Sequence, residues 1–548
     1  MTRLDVYDTT LRDGAQQEGM TLSVVDKLTV LSLLDGLGVG YVEGGWPGAI
    51  PKDTEFFARA AEVELTHATL AAFGSTRRAG VAVEDDPQVR ALLSCGAPVV
   101  TLVAKSHRRH VEVALRTTGE ENLAMVGDTV ALLVAAGRRV FLDAEHLFDG
   151  WRLDRGYAGA VLSAAVDAGA EVLVLCDTNG GMLPDDVTST VREVVAAFPD
   201  AVVGVHCHND TGCGVANSLA GLAAGARHVQ GTVNGYGERT GNADLTTVVA
   251  NLETKLGRRV LPPGGLAELT RVAHTVAEVT NTAAHARSPY VGASAFAHKA
   301  GLHASAIRQD PALYQHVEPG TVGNDRRMLV SEMAGRASIE LKAAELGQDI
   351  AHDPALIGRV VERVKTAEAA GYAYDAADAS FDLLLRAESG APVSYCEVES
   401  WRVHSSSHPA GDPAVLTGTT GSTGTPGAVV APAAVNLSEA VVRLHAGGVR
   451  VVAVGEGNGP VNALDQAVRS ALGRAYPELE KLELTDFRVR ILDSSHGTDA
   501  TTRVLVTTTD ERGQWTTVGV GPNLVEASWE ALLDGLTYGL FRAGVTPR

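Results

Sequence analysis

The chain has 548 residues, too many for a single hydrophobic core, so two or three domains are expected. With 45% hydrophobic residues, 20% charged residues and a net charge of −20, it has the balance of a globular protein and lacks the basic face that a nucleic-acid partner needs. No apolar run reaches the roughly 18 residues of a membrane span, no basic-then-apolar export signal opens the chain, and five scattered cysteines form no CxxC pair, so the expectation is a cytoplasmic protein without membrane contact, disulfide framework or zinc finger.

From the N-terminus, β-branched runs alternate with amphipathic stretches. Strands are expected at 4–9, 41–44, 67–73, 99–104, 139–144, 172–176, 202–206 and 229–234, with helices following at 23–38, 53–63, 86–95, 120–137, 156–169, 184–197, 214–226 and 244–256. Eight such units in about 250 residues match a (β/α)8 TIM barrel. A doubly wound sheet is the rival. It would place a glycine fingerprint after the first strand, whereas this strand runs into the charged Asp8-Thr9-Thr10-Leu11-Arg12-Asp13-Gly14. Beyond the barrel, 260–390 reads as mostly helical, with helices at 266–280 and 355–370. The chain turns strand-rich again from Ser394, interrupted by a Ser/Gly/Thr/Pro/Ala-rich flexible loop near 404–430. Two strand-rich segments follow, the first a run at 442–454 entering a helix at 461–475, the second closed by a helix at 523–543. This is the pattern of a duplicated α+β module. The Gly455–Gly459 run lacks phosphate-cradle spacing and reads as a tight turn.

Side chains at the C-terminal ends of barrel strands converge on one mouth. Here those ends carry Arg12 and Asp13, Glu43, Lys105, Glu145, Asp177-Thr178-Asn179, His206 to Asp210, and Glu238-Arg239 with Asn242. In His206-Cys207-His208 the two imidazoles are two residues apart on a strand and share a face. With Asp13 they make two nitrogens and a carboxylate, a set that suits Mg, Mn, Co or Zn with positions left open for substrate. A bare His-x-His is more often a hydrogen-bonded pair; its place at a seventh barrel strand reverses that balance. Arg12 can polarise a ketone oxygen and hold the alkoxide formed when a carbon nucleophile adds, or it can close the barrel in an ion pair with Asp13. Thr178 can donate to a substrate carboxylate or cap a turn.

Three motifs, Asp8 to Gly14, His206-Cys207-His208-Asn209-Asp210, and Gly235-Tyr236-Gly237-Glu238-Arg239-Thr240-Gly241-Asn242-Ala243, resemble in order the signatures of the DRE-TIM metallolyase superfamily, which includes 2-isopropylmalate, homocitrate and citramalate synthases. Glu43 to Gly48, Asp143-Ala144-Glu145-His146 and Ser294 to His303 look most like the long-chain citramalate synthase branch, and Gly455–Asp465 with Glu526 to Trp529 resembles the family's regulatory domain. The resemblance implies a catalytic barrel over 1–260, mostly helical linker subdomains over 261–393 that complete the active site, and an amino-acid-binding regulatory domain over 394–548. It implies condensation of acetyl-CoA with a small 2-oxo acid, pyruvate in this branch, or another acceptor in the 2-isopropylmalate and homocitrate synthases. Asp13, His206 and His208 would then bind the divalent metal, with Asn242 in or near the ligand shell. Arg12 would hold the keto oxygen, Thr178 the carboxylate, and Glu145 would deprotonate the acetyl methyl. His303 and Tyr314 would contribute from the partner subunit of a homodimer, and isoleucine would be the effector. Two rivals are a superfamily lyase, which would end near the barrel, and a catalytically silent metabolite sensor, which would not need so many polar strand ends.

Overall fold

The computed structural model describes residues 4–408, 435–492 and 500–548. They fall into two compact units, one comprising residues up to Phe296 together with His316–Arg326, the other Ala297–Gln315 and Arg327–Arg548. Among the described residues no helix is long and apolar enough to cross a membrane.

The first unit is a closed parallel barrel of eight strands in sequence order: β1 (Asp5–Asp8), β2 (Tyr41–Glu43), β3 (Thr69–Ser75), β4 (Val99–Lys105), β5 (Arg139–Glu145), β6 (Val172–Asp177), β7 (Val202–Cys207) and β8 (His228–Gly231). Parallel strands are covered on both faces, so they are apolar nearly throughout and become polar only where they run out into the mouth. Inside, Tyr7, Tyr41, Phe141, Val172 and Val174 fill the barrel; outside, Val100, Leu142, Leu173 and Val205 pack against the helical ring. Each expected helix forms close to its expected limits, as at Val24–Leu37, where Ser23 and Asp26 close a capping box, and at Gly119–Ala135.

Register decides which strand ends meet. Lys105 lies beside Glu145, Cys176 beside His206, and His206 beside Gln230. Two local differences from expectation bear on the mouth. The eighth strand stops at Gly231, and Val233–Gly235 forms a 3-10 turn through Asn234, whose φ of 59° is a conformation that Asn tolerates. After β5 an unexpected helix, Leu147–Leu153, forms; its seven residues span fewer than two turns, too short for a 3.6-residue period to register.

In the second unit, helices Gly301–Gln309, Arg336–Glu345, Pro354–Ala369 and Asp378–Glu388 precede two β-β-β-α repeats. The first has β9 (Glu397–His408), β10 (Val435–Ala446) and β11 (Val449–Gly457) with helix Pro460–Leu472; the second has β12 (Glu483–Ile491), β13 (Thr502–Asp510) and β14 (Gly513–Gly521) with helix Leu524–Arg542. Each sheet is antiparallel in sequence order. The expected run at 442–454 is therefore a hairpin, folded at Gly447-Gly448, where φ values of 58° and 72° make the tight turn that glycine permits. The polar stretch expected as a loop from 404 begins as strand up to His408, because its alternating residues pair with β10; residues 409–430 of that loop lie outside the described residues. The repeats share a core in which Leu464, Leu472 and Tyr476 pack with Trp529, Leu532 and Leu536.

Candidate active site

Asp13 follows β1 on a tight polar turn, and His206 and His208 end β7. Their ligand atoms face one another: Asp13 Oδ2 lies 3.1 Å from His206 Nε2 and 3.7 Å from His208 Nε2. The two Nε2 atoms are 3.4 Å apart. All three side chains are buried, and together they form a cluster able to hold a metal ion. The donor set fits a divalent cation, because the Nδ1 of His206 is already engaged with Gln230 Oε1 at 2.8 Å, which leaves its Nε2 aimed at a carboxylate oxygen and a second imidazole. Acceptors crowded in this way are reconciled by a positive charge between them. Asn242, which forms an isolated bridge with His208, donates its Nδ2–H to Tyr236 O at 2.9 Å, while its buried Oδ1 has no hydrogen-bond partner among the described residues. The loop that presents it is compressed. A Cβ on Gly237, at φ 142°, would come within 2.4 Å of Asn242 Nδ2, and one on Gly241, at φ 86°, within 1.9 Å of Gly235 O.

Electrostatics follow from these contacts. Burial by itself would raise the Asp13 carboxyl, but the Arg12 charge and the His206 hydrogen bond outweigh it and hold the group well below the ordinary range. Burial would lower His206, yet the Asp13 hydrogen bond and charge leave it raised; His208, buried and facing His206, drops to about 4.

Arg12 is held on two sides. Its Nε donates to Glu43 Oε2 at 2.6 Å, and its guanidinium carbon lies 3.8 Å from the Phe73 ring centroid. Glu43, fully buried, also accepts from Tyr7 Oη at 2.9 Å, so the salt bridge is anchored in the barrel interior. Arg12 NH1 approaches Asp13 Oδ2 at 3.7 Å, which makes the closing ion pair and the substrate-facing role compatible. Thr178 Oγ1 accepts from His146 N at 3.0 Å, so its own proton is left to donate. The Thr178 carbonyl accepts from Arg239, which in turn grips Asp210 with two bonds of 2.8 and 3.0 Å. Glu145 is paired with Lys105 from the neighbouring strand.

Arg12, Asp13, Glu145, Thr178, His206 and His208 line one cavity of about 600 Å³. His303 and Tyr314 belong to the second unit, where their rings stack with centroids 4.2 Å apart. Sequence reasoning left Asp143 without a role and missed Gln230 and Phe73. Asp143 lines the cavity, and its carboxyl is raised to about 7 by burial and then by the Glu43 charge. Gln230 carried no signal in the sequence beyond being a polar residue on a barrel strand; its register with His206 of the preceding strand gives it meaning.

A cation-binding cluster, a fixed guanidinium and a carboxylate opening on one cavity at a barrel's C-terminal mouth, taken with the comparisons that follow, define a divalent-metal-dependent acyltransferase of the condensing type. The HMGL-like family model matches residues 3–276, a homocitrate synthase post-HMGL domain-like model 290–371, and a LeuA allosteric (dimerisation) domain model 375–540. An (R)-citramalate synthase of Streptomyces coelicolor is 59% identical over 544 residues, covering 99% of this chain and 97% of its own length. One from Synechocystis is 45% identical over 98% of this chain and 96% of its own length. A 2-isopropylmalate synthase of Methanocaldococcus jannaschii is more distant, 28% identical over 97% of this chain and 94% of its own length. The chain belongs to the (R)-citramalate synthase family.

Proposed function

We propose that this chain condenses acetyl-CoA with pyruvate and water to give (R)-citramalate and CoA. The observation that carries the chemistry is Arg12, locked by Glu43 and Phe73 beside the Asp13–His206–His208 cluster in the cavity that Glu145 also lines. The choice of pyruvate is supported by the names of the relatives, which match over nearly the whole chain.

Asp13, His206 and His208, with the free Oδ1 of Asn242, would hold a divalent cation, which when bound supplies Lewis-acid polarisation of the keto oxygen. Mn, Mg, Co and Zn all suit the donor set. Thr178 donates its hydroxyl to the acceptor carboxylate. Arg12 donates to the keto oxygen and stabilises the alkoxide. Glu145 takes a proton from the acetyl methyl, and the resulting carbanion forms the new carbon–carbon bond at the keto carbon, whose C=O electron pair moves to oxygen and is protonated. Water then cleaves the thioester, and CoA leaves as the thiol. His303 and Tyr314, as the resemblance implies, would contribute from a second copy in a cytoplasmic homodimer, a reading supported by the dimerisation-domain match. The same match supports an allosteric role for this part of the chain, and isoleucine is the effector that the resemblance implies. A cavity of about 680 Å³ between the repeats combines Asp465 and Arg469 with apolar Leu484 and Phe487, the mixture that an apolar amino acid requires.

The test is thiol release from acetyl-CoA with pyruvate, 2-oxobutyrate, 2-oxoisovalerate or 2-oxoglutarate, each with and without EDTA. Release that is fastest with pyruvate and abolished by EDTA is expected; a preference for 2-oxoisovalerate or 2-oxoglutarate moves the chain to another synthase, and EDTA-insensitive release removes the metal. Millimolar isoleucine should inhibit; inhibition by leucine alone overturns the effector assignment.

A further inference from the structure

Behind the metal cluster lies a short chain of buried polar groups to which no role has been given. Gln230 of β8 is fully buried and in register with His206. Its Nε2 donates to Asp143 Oδ1 at 3.0 Å, and its Oε1 meets His206 Nδ1 at 2.8 Å. With Asp143 ionised, its oxygen takes the amide N–H, which turns the amide oxygen to the imidazole; that oxygen only accepts, so it requires a proton on Nδ1. Nε2 of His206 is then the atom left to face Asp13, and its lone pair becomes a ligand once a cation displaces the proton shared with that carboxylate. His208 has no such support: among the described residues its Nδ1 is buried without a hydrogen-bond partner.

We propose that Asp143 and Gln230 are positioning residues that lock His206 in the Nδ1–H tautomer, so that its Nε2 is presented ready-made to the cation. The inference rests on the metal site proposed above. It also gives the carboxylate on the cavity wall a function: Asp143 orients the amide, and the amide orients the ligand. Outer partners of this kind contribute about 10–100-fold to metal affinity in other sites.

The experiment measures Mn2+ binding to the chelator-stripped full-length chain by the loss of the free-ion EPR signal, with thermal melts as a check on folding. Asp143→Ala and Gln230→Leu should each weaken Mn2+ binding about 10–100-fold. The double substitution should cost little more than the worse single one, because both act through one imidazole. The exchanged pair D143N/Q230E restores an acceptor facing His206 and a donor–acceptor link behind it, so it should bring affinity back to within several-fold of the parent. A role limited to packing would not produce that recovery. Binding as tight as the parent's in both single variants, or an exchanged pair no better than Gln230→Leu, overturns the inference while the metal site stands. A parent chain that binds no Mn2+, or binds it equally after His206→Ala, overturns the site and the inference together.

Discussion

Asp13, buried at the barrel mouth, and Asp534, half-buried in the second unit, are carboxylates that end in opposite states. Asp13 has Arg12 and His206 beside it and is held ionised. Asp534 has no cation among the groups that shift it: burial and then the Glu530 charge push it up to about 7, with only the Ser380 hydroxyl, 3.4 Å away, drawing it back. The cost of burial is similar in kind at the two places, so the neighbours decide the outcome. A buried acid kept charged by fixed counter-charges is fit to be a ligand. One left to keep its proton is a structural element whose contribution varies with pH.

The sharpest way to break this contrast is Asp13→Ala. Loss of a ligand and of the partner of two histidines should lower thiol release on the order of ten thousandfold, since metal polarisation is worth several kcal/mol of barrier. Asp534→Asn should leave turnover unchanged. Glu145→Gln comes next, at about a thousandfold in turnover, within the range of a general base. Acceptor binding followed by calorimetry should be largely retained, and turnover that survives the change assigns the proton to another group. The effects on stability are smaller. The folded Asp534 carboxyl keeps its proton to about pH 7, whereas the unfolded one releases it near 3.8, so its contribution to stability is full below that lower value and lost as pH rises through the window between them. Asp534→Asn should therefore raise the thermal midpoint at pH 8 relative to the parent, by the equivalent of about 1–2 kcal/mol after allowance for partial exposure, with the gap closing near pH 4. A gap that is the same at both pH values contradicts the assignment. The smallest effects are at helix caps. Ser23→Ala in the barrel removes the acceptor for Asp26 N, and Asn523→Ala in the second repeat removes that for Val525 N; each should cost about 1 kcal/mol in denaturant titrations.

The barrel was legible because its signal is periodic and repeated eight times, and because the strands lose their apolar character where they open on the mouth. That is enough to bring Arg12, Asp13, His206 and His208 together on paper, and the structure places them in one cavity. What could not be read depends on register between strands. Gln230 is one of several polar residues in its strand and becomes meaningful only beside His206 and across from Asp143. Lys105 and Glu145 are 40 residues apart and become an ion pair through the same kind of alignment. In the second unit the duplicated module was visible, but 442–454 was read as one run although Gly447-Gly448 within it is a two-residue turn signal, and the structure folds it there into a hairpin. For His303 and Tyr314 the resemblance alone supplies a role, to which the structure adds their mutual stacking.

The central claim is that one acidic side chain from the first strand and two imidazoles from the seventh surround a single cation. Anomalous diffraction from crystals soaked in Mn2+ tests it most directly. A single strong peak in contact with Asp13, His206 and His208 is the predicted result; a peak bound elsewhere, or none at this cluster at saturating Mn2+, would contradict it.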